Sequence, residues 1–129
     1  MDKLEVVNEW IKYSNRDFDT AEHLLNNMFP APLEIICYLS QQSAEKALKA
    51  FWINMNIDPP KTHDLTLLNN TCIKYDKLFI ELMDICTRLT HYSSQPRYPL
   101  EMEITIEKAK LAIKDAKIIT SFIKKKLTL

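Results

Sequence analysis

Within the stretch SQQSAEKALKAFW, residues 40–52, four side chains have the types needed to hold an anion or move a proton: Gln42, Glu45, Lys46 and Lys49. At about 3.6 residues per helical turn they fall within an arc of roughly 100°. They form one polar ridge opposite Ser40, Ala44, Ala47 and Phe51. Considered alone, such a ridge is a solvated face held by local pairs such as Glu45 with Lys49, each worth about 0.2–0.5 kcal/mol. Asp17 weighs against that view. It shares a helical stripe with Trp10, Ala21 and Leu24 and so faces the interior, where an unpaired carboxylate is costly. Lys46, Lys49, Arg97 and His63 are its candidate partners. A structural ion pair between two helices or a functional cluster would satisfy it equally.

The segment KTHDL sets Lys61, Thr62, His63 and Asp64 just ahead of a helix, where free backbone N–H groups favour an anion such as phosphate. An ordinary cap uses the same residues, with Thr62 or Asp64 bonding the first turn and His63 packing. In SSQPRYP, Arg97 has the fork to grip a phosphate and Tyr98 the ring to stack on a base. A rigid turn with Tyr98 packed against the protein accounts for the same segment. If the two loops lie near the end of the ridge helix, the expected site is a concavity containing His63 and Lys49. Other chemistry has little support. His23, His63 and His91 lack a paired spacing for zinc, and no cofactor is implied. The absence of any glycine excludes phosphate-cradling and dinucleotide-binding glycine loops. Cys37, Cys72 and Cys86 show no C-x-x-C spacing and read as buried free thiols.

The elements that must carry these residues are helices. Apolar positions recur at three- and four-residue steps in Val7, Trp10, Ser14, Asp17, Ala21, Leu24 and Met28, a run stopped by Pro30 and Pro32. A second helix holds Leu33, Ile36, Ser40, Ala44, Ala47 and Phe51, and a short third spans residues 65–74. A fourth is expected as one long helix from Leu78 through Leu82, Ile85 and Leu89 to Tyr92, and a fifth runs from Thr105 with Ile106, Ala109, Ile113, Ala116, Thr120, Ile123 and Leu127 on one stripe. Short connections make neighbours antiparallel. The expectation is therefore an all-α, antiparallel four-helix up-and-down bundle with a short additional helix, forming one domain over residues 1–129. The 17 basic and 17 acidic side chains cancel, so any charged partner must be held by a local patch rather than by overall charge. No signal-peptide core or membrane span is read in the sequence, which points to the cytoplasm and to no membrane partner.

WIKYSNRDFDTAEHLL, YLSQQSAEKALKAFW, PPKTHDL and QPRYP, in this order and spacing, resemble the prokaryotic HEPN domain family across almost the whole chain. The resemblance implies a helical bundle, usually a homodimer, associated with nucleotides or RNA. Small members are often encoded beside a minimal nucleotidyltransferase, with which they form a complex of toxin–antitoxin type. By residue match, it implies a nucleotide- or phosphate-binding set of Gln42, Lys46, Lys49, His63, Arg97 and Tyr98, supported by Asp17, Glu45 and Asp64. Were such a partner to modify the chain, Tyr92 and Tyr98 are the nearest hydroxyls to the family's modified tyrosine. Ribonuclease members carry an Arg followed after four to six residues by a His near the start of a late helix. Here Arg88 and His91 are separated by only two residues, no His follows Arg97, and Arg16 with His23 lies in the first helix. Catalysis would then fall to His63 with Arg97, an atypical metal-independent arrangement; a purely structural dimerisation or assembly module is the remaining alternative.

Overall fold

The computed structural model describes residues 1–94 and 103–128, and among them the ordered elements are all helical. Five α-helices follow one another: α1 Lys3–Asn27, α2 Leu33–Asn54, α3 Leu65–Tyr75, α4 Met83–Leu89 and α5 Ile106–Lys126. They build an antiparallel four-helix up-and-down bundle, with α3 as the short extra helix. Local chemistry sets most of the boundaries. Asp2, Asp64 and Thr105 cap α1, α3 and α5 by accepting from backbone N–H groups of the first turn, which leaves fewer orphan donors. With no glycine available, Asn56 takes the left-handed position after α2 at φ 64°. The N–H of Ile57 then reaches the Trp52 carbonyl at 3.1 Å, and that of Asn56 reaches Ile53 at 2.9 Å, closing the helix end.

α1 and α2 run back to back. Lys3 at the start of α1 bonds the carbonyl of Asn54 at the end of α2, at 3.2 Å. Midway, the Ser14 hydroxyl donates to the Ser43 carbonyl at 2.7 Å and the Ser43 hydroxyl to the Ser14 carbonyl at 2.8 Å. At the other side α4 and α5 are likewise antiparallel, joined by Arg88 with Asp115 and by Lys126 with Asp76, which opens the turn before α4. α2 lies at the centre. Its buried residues run from the Ala44 and Ala47 side round to Glu45 and Lys49, while Gln42 and Lys46 are half-buried, so the ridge opposite Ala44 and Ala47 is only partly open to water. The reason is that α2 meets α1 on one side and α3 and α5 on others, leaving little of it for water.

The fourth segment departs from one long helix. It is a 3-10 turn over Lys77–Leu82, then α4, then a second 3-10 turn over Thr90–Tyr92. Buried Asn69 of α3 donates its Nδ2 to the Phe79 carbonyl at 3.0 Å. That carbonyl would otherwise accept from Met83, whose N–H turns instead to Ile80, the tighter pattern of a 3-10 helix. Phe79 is thereby wedged between Phe51 and Phe122, with ring centroids 4.5 and 5.0 Å away. Met28 and Ile106, assigned above to interior stripes, are 52% and 44% exposed because they sit at helix ends beyond the neighbouring helices.

All three cysteines are free and buried. Burial pushes the Cys37 thiol up to about 11 and those of Cys72 and Cys86 to about 12, so almost no thiolate exists at neutral pH. A thiol-reactive chromophore is expected to label none of the three in the folded protein at neutral pH and all of them in denaturant. A fast-reacting thiol in the native protein would contradict this packing.

Candidate functional site

The site is built on α2 and completed by the loop that leads into α3. Glu45 and Lys49, one turn apart, are 4% and 7% exposed, and Glu45 Oε2 accepts from Lys49 Nζ at 3.0 Å. The other oxygen, Oε1, meets His63 Nδ1 at 3.0 Å, and Gln42 Nε2 approaches it at 3.4 Å. Gln42 also donates to Gln41 Oε1 at 2.8 Å, and buried Gln41 donates its Nε2 to the His63 carbonyl at 2.8 Å. His63 is thus held twice from α2, by its backbone through Gln41 and by its ring through Glu45. A carboxylate only accepts hydrogen bonds, so Nδ1 carries the proton. In the neutral ring the lone pair is then on Nε2. The His63 side chain is 65% exposed while Glu45 is only 5% exposed, so a buried carboxylate orients a solvent-facing imidazole. This is the arrangement in which a histidine takes or gives a proton at Nε2.

Two features flank this cluster. Asp17 pairs with Lys46, which selects one of its four candidate partners and ties α1 to α2. Trp10 of α1 stands beside Lys49, whose Nζ lies 5.9 Å from the indole ring centroid, and it belongs to the site although its place on the apolar stripe marks it only as core. Lys49 itself is beneath the surface, and among the described residues a groove beside it is lined by Trp10 and Lys46. Asp64 caps α3 through Thr66 and Leu67, at 2.9 and 3.3 Å, so its carboxylate serves the helix start. Arg97 and Tyr98 lie outside the described residues. Thr90, at the end of α4, accepts from the Leu65 N–H at 3.0 Å and so joins that end of the chain to the His63 loop.

In the sequence, Arg88 stands out only for its distance from His91. Its guanidinium instead makes two 2.8 Å bonds to Asp115 of α5, one from Nε and one from Nη2. That bidentate grip on a 2% exposed carboxylate removes Arg88 from a partnership with His91. Asp115 escaped the sequence because it sits among lysines and alanines in an apparently solvated stretch. Burial, with the Cys37 thiol close by, pushes the phenol of the half-buried Tyr92 up from the ordinary value. Among the described residues, no three His, Cys, Asp or Glu side chains gather where they could hold a metal ion, and no helix is long and apolar enough to cross a membrane.

The described residues thus form an all-α bundle whose central helix carries a buried Glu–Lys pair and holds, through Glu45, the histidine of the loop before α3. The chain belongs to the HEPN domain family, whose model matches residues 7–127. Among solved structures it is similar to an archaeal HEPN homologue, at 25% identity over 93% of this chain and 96% of that one, with a TM-score of 0.73. It is also similar in fold to a protein of Thermus thermophilus, at 20% identity over 93% and 97% of the two chains and a TM-score of 0.81. No curated protein sequence matches significantly.

Proposed function

We propose that this HEPN chain is a nucleotide- or RNA-binding subunit acting with a separately encoded minimal nucleotidyltransferase in a toxin–antitoxin-type system, as a cytoplasmic homodimer. The observation that carries the binding reading is the buried Glu45 that fixes Lys49 and an outward-facing His63 together. Such a fixed donor set suits a phosphate ester, since the imidazole and nearby cations meet the ligand without first losing conformational freedom. Gln42 and Lys46 border it, Asp17 steadies Lys46, and Arg97 and Tyr98 enter by family match. Titration calorimetry with ribonucleotides and short RNAs tests it: His63→Ala is expected to weaken binding roughly tenfold, the loss of one charge-assisted contact. Equal affinity in wild type and variant would sink the proposal.

The same Glu45–His63 contact favours a second reading, a metal-independent ribonuclease in which His63 Nε2 takes the 2′-hydroxyl proton. Its cation would be Arg97, which enters by family match, Arg88 being committed to Asp115. Cleavage of cellular RNA by the wild type and not by His63→Ala is its expected result; intact RNA with both removes it.

A further inference from the structure

Two adjacent glutamines of α2 form a chain of amides that begins and ends on His63. Gln41 is fully buried and is absent from the set that the HEPN resemblance implies; Gln42 beside it is half-buried. Gln41 Nε2 donates to the His63 carbonyl at 2.8 Å, and Gln41 Oε1 accepts from Gln42 Nε2 at 2.8 Å. The same Gln42 nitrogen approaches Glu45 Oε1 at 3.4 Å, and that oxygen meets His63 Nδ1 at 3.0 Å. Both ends of the amide chain are obligate acceptors, since a carbonyl and a carboxylate have no proton to give. Gln41 must then turn its nitrogen to the carbonyl and its oxygen to Gln42, and Gln42 must turn its nitrogen to Gln41 and Glu45. An acid at position 41 would leave the carbonyl without a donor, and an acid at position 42 would supply neither bond. Packing alone would ask for volume at these positions, and a methionine would fill it without the cost of burying an amide.

We infer that Gln41 and Gln42 are positioning residues that set the tautomer of His63. They fix the His63 backbone and the Glu45 carboxylate relative to each other, so that the ring keeps its Nδ1 proton on Glu45 and turns Nε2 to solvent. The inference rests on the reading of His63 as a group that meets the ligand, and it makes Gln42 act through that ring rather than on the ligand. Which imidazole nitrogen carries the proton follows from the bond the other group offers it. Glu45 can impose that choice only while the loop keeps the ring within reach. Packing does little to keep it there, because the His63 side chain is 65% exposed. On the α3 side the loop is anchored one and two residues later, by the Asp64 cap and by the Leu65 N–H on Thr90. At His63 itself the backbone anchor is Gln41.

Nitrogen-15 NMR of the imidazole rings in the full chain, at alkaline pH where the rings are neutral, tests the assignment. The chain has three histidines, so loss of signals in His63→Ala identifies this ring. The wild type is expected to show His63 with its proton on Nδ1 and a bare Nε2. Gln41→Met and Gln42→Met, which keep bulk and remove the amide, are expected to give a mixture of both tautomers, and Gln41→Glu not to restore the single form. Asn27→Ala, which removes an amide from the His23 ring, is expected to leave the His63 signals unchanged. Circular dichroism reports whether Gln41→Met folds; if it does not, Gln42→Met, at a half-buried position, carries the test. In calorimetry with AMP and a short oligoribonucleotide, Gln41→Met is expected to weaken binding roughly three- to tenfold. Added to His63→Ala it is expected to weaken binding no further, because its effect passes through the ring. Mixed tautomers in the wild type, or a single Nδ1–H form retained in the Met variants, overturn the positioning role. An additive loss in the double variant overturns it too and leaves the nucleotide reading in place. Absence of binding by the wild type removes the nucleotide reading, and mixed tautomers in the Met variants then still support the positioning role.

Discussion

Glu45→Ala is expected to lower stability by about 3–5 kcal/mol, the usual cost of stripping a partner from a buried ion pair. Lys49 would remain 7% exposed with only the face of Trp10 beside it, and a cation–π contact returns about 0.5–2 kcal/mol. His63 loses its Nδ1 partner too, but its exposed ring regains water. For a domain whose whole stability is about 5–15 kcal/mol, the loss is visible as a large shift in the urea midpoint at unchanged slope. Replacing both partners, as Glu45→Leu with Lys49→Met, should recover most of the loss, since an apolar pair carries no desolvation cost. A change under about 1 kcal/mol in Glu45→Ala would mean that the pair behaves as an exposed one. The pair would then be retained for what it does to His63 rather than for the fold.

Arg88→Ala should cost about 3 kcal/mol, near the lower end of that range because the Arg88 side chain is 47% exposed while Asp115 is 2% exposed. The Asp115 carboxylate holds the guanidinium above its already high ordinary pKa through their hydrogen bonds. Arg88 therefore stays charged at every pH at which the protein folds, and proton loss offers no relief. Arg88→Lys keeps the charge but cannot reproduce two parallel bonds, so it should recover part of the loss. Chemical denaturation of the three proteins checks the order wild type, Arg88→Lys, Arg88→Ala; an Arg88→Ala protein as stable as wild type would contradict the pair.

What could be read from the sequence was whatever is decided within a turn or two of the chain. Pro30 and Pro32 end α1, Thr62 or Asp64 marks the start of α3 and Thr105 that of α5, and the three- and four-residue steps give the bundle. The break before α4 could not be read, because it depends on Asn69 capturing the Phe79 carbonyl from another helix. Counting an arc on α2 assumed one neighbour, whereas several helices enclose it, so Glu45 and Lys49 looked solvated. Asp17 was legible as inward-facing, but choosing Lys46 over Lys49 required the offset between α1 and α2. Asp115 and Trp10 were hidden for opposite reasons: one resembled surface, the other core.

The reciprocal serine bonds between α1 and α2 have a consequence for the choice among alternative packings. Small and aliphatic side chains along this seam would tolerate a slide of one helical turn, about 5.4 Å, with little change in apolar burial. The same slide would strand the Ser14 and Ser43 hydroxyls and separate Asp17 from Lys46. Each stranded buried polar group costs about 1–3 kcal/mol, so the polar contacts act as a ratchet that admits one offset. Only at that offset do Trp10 and Lys49 come side by side.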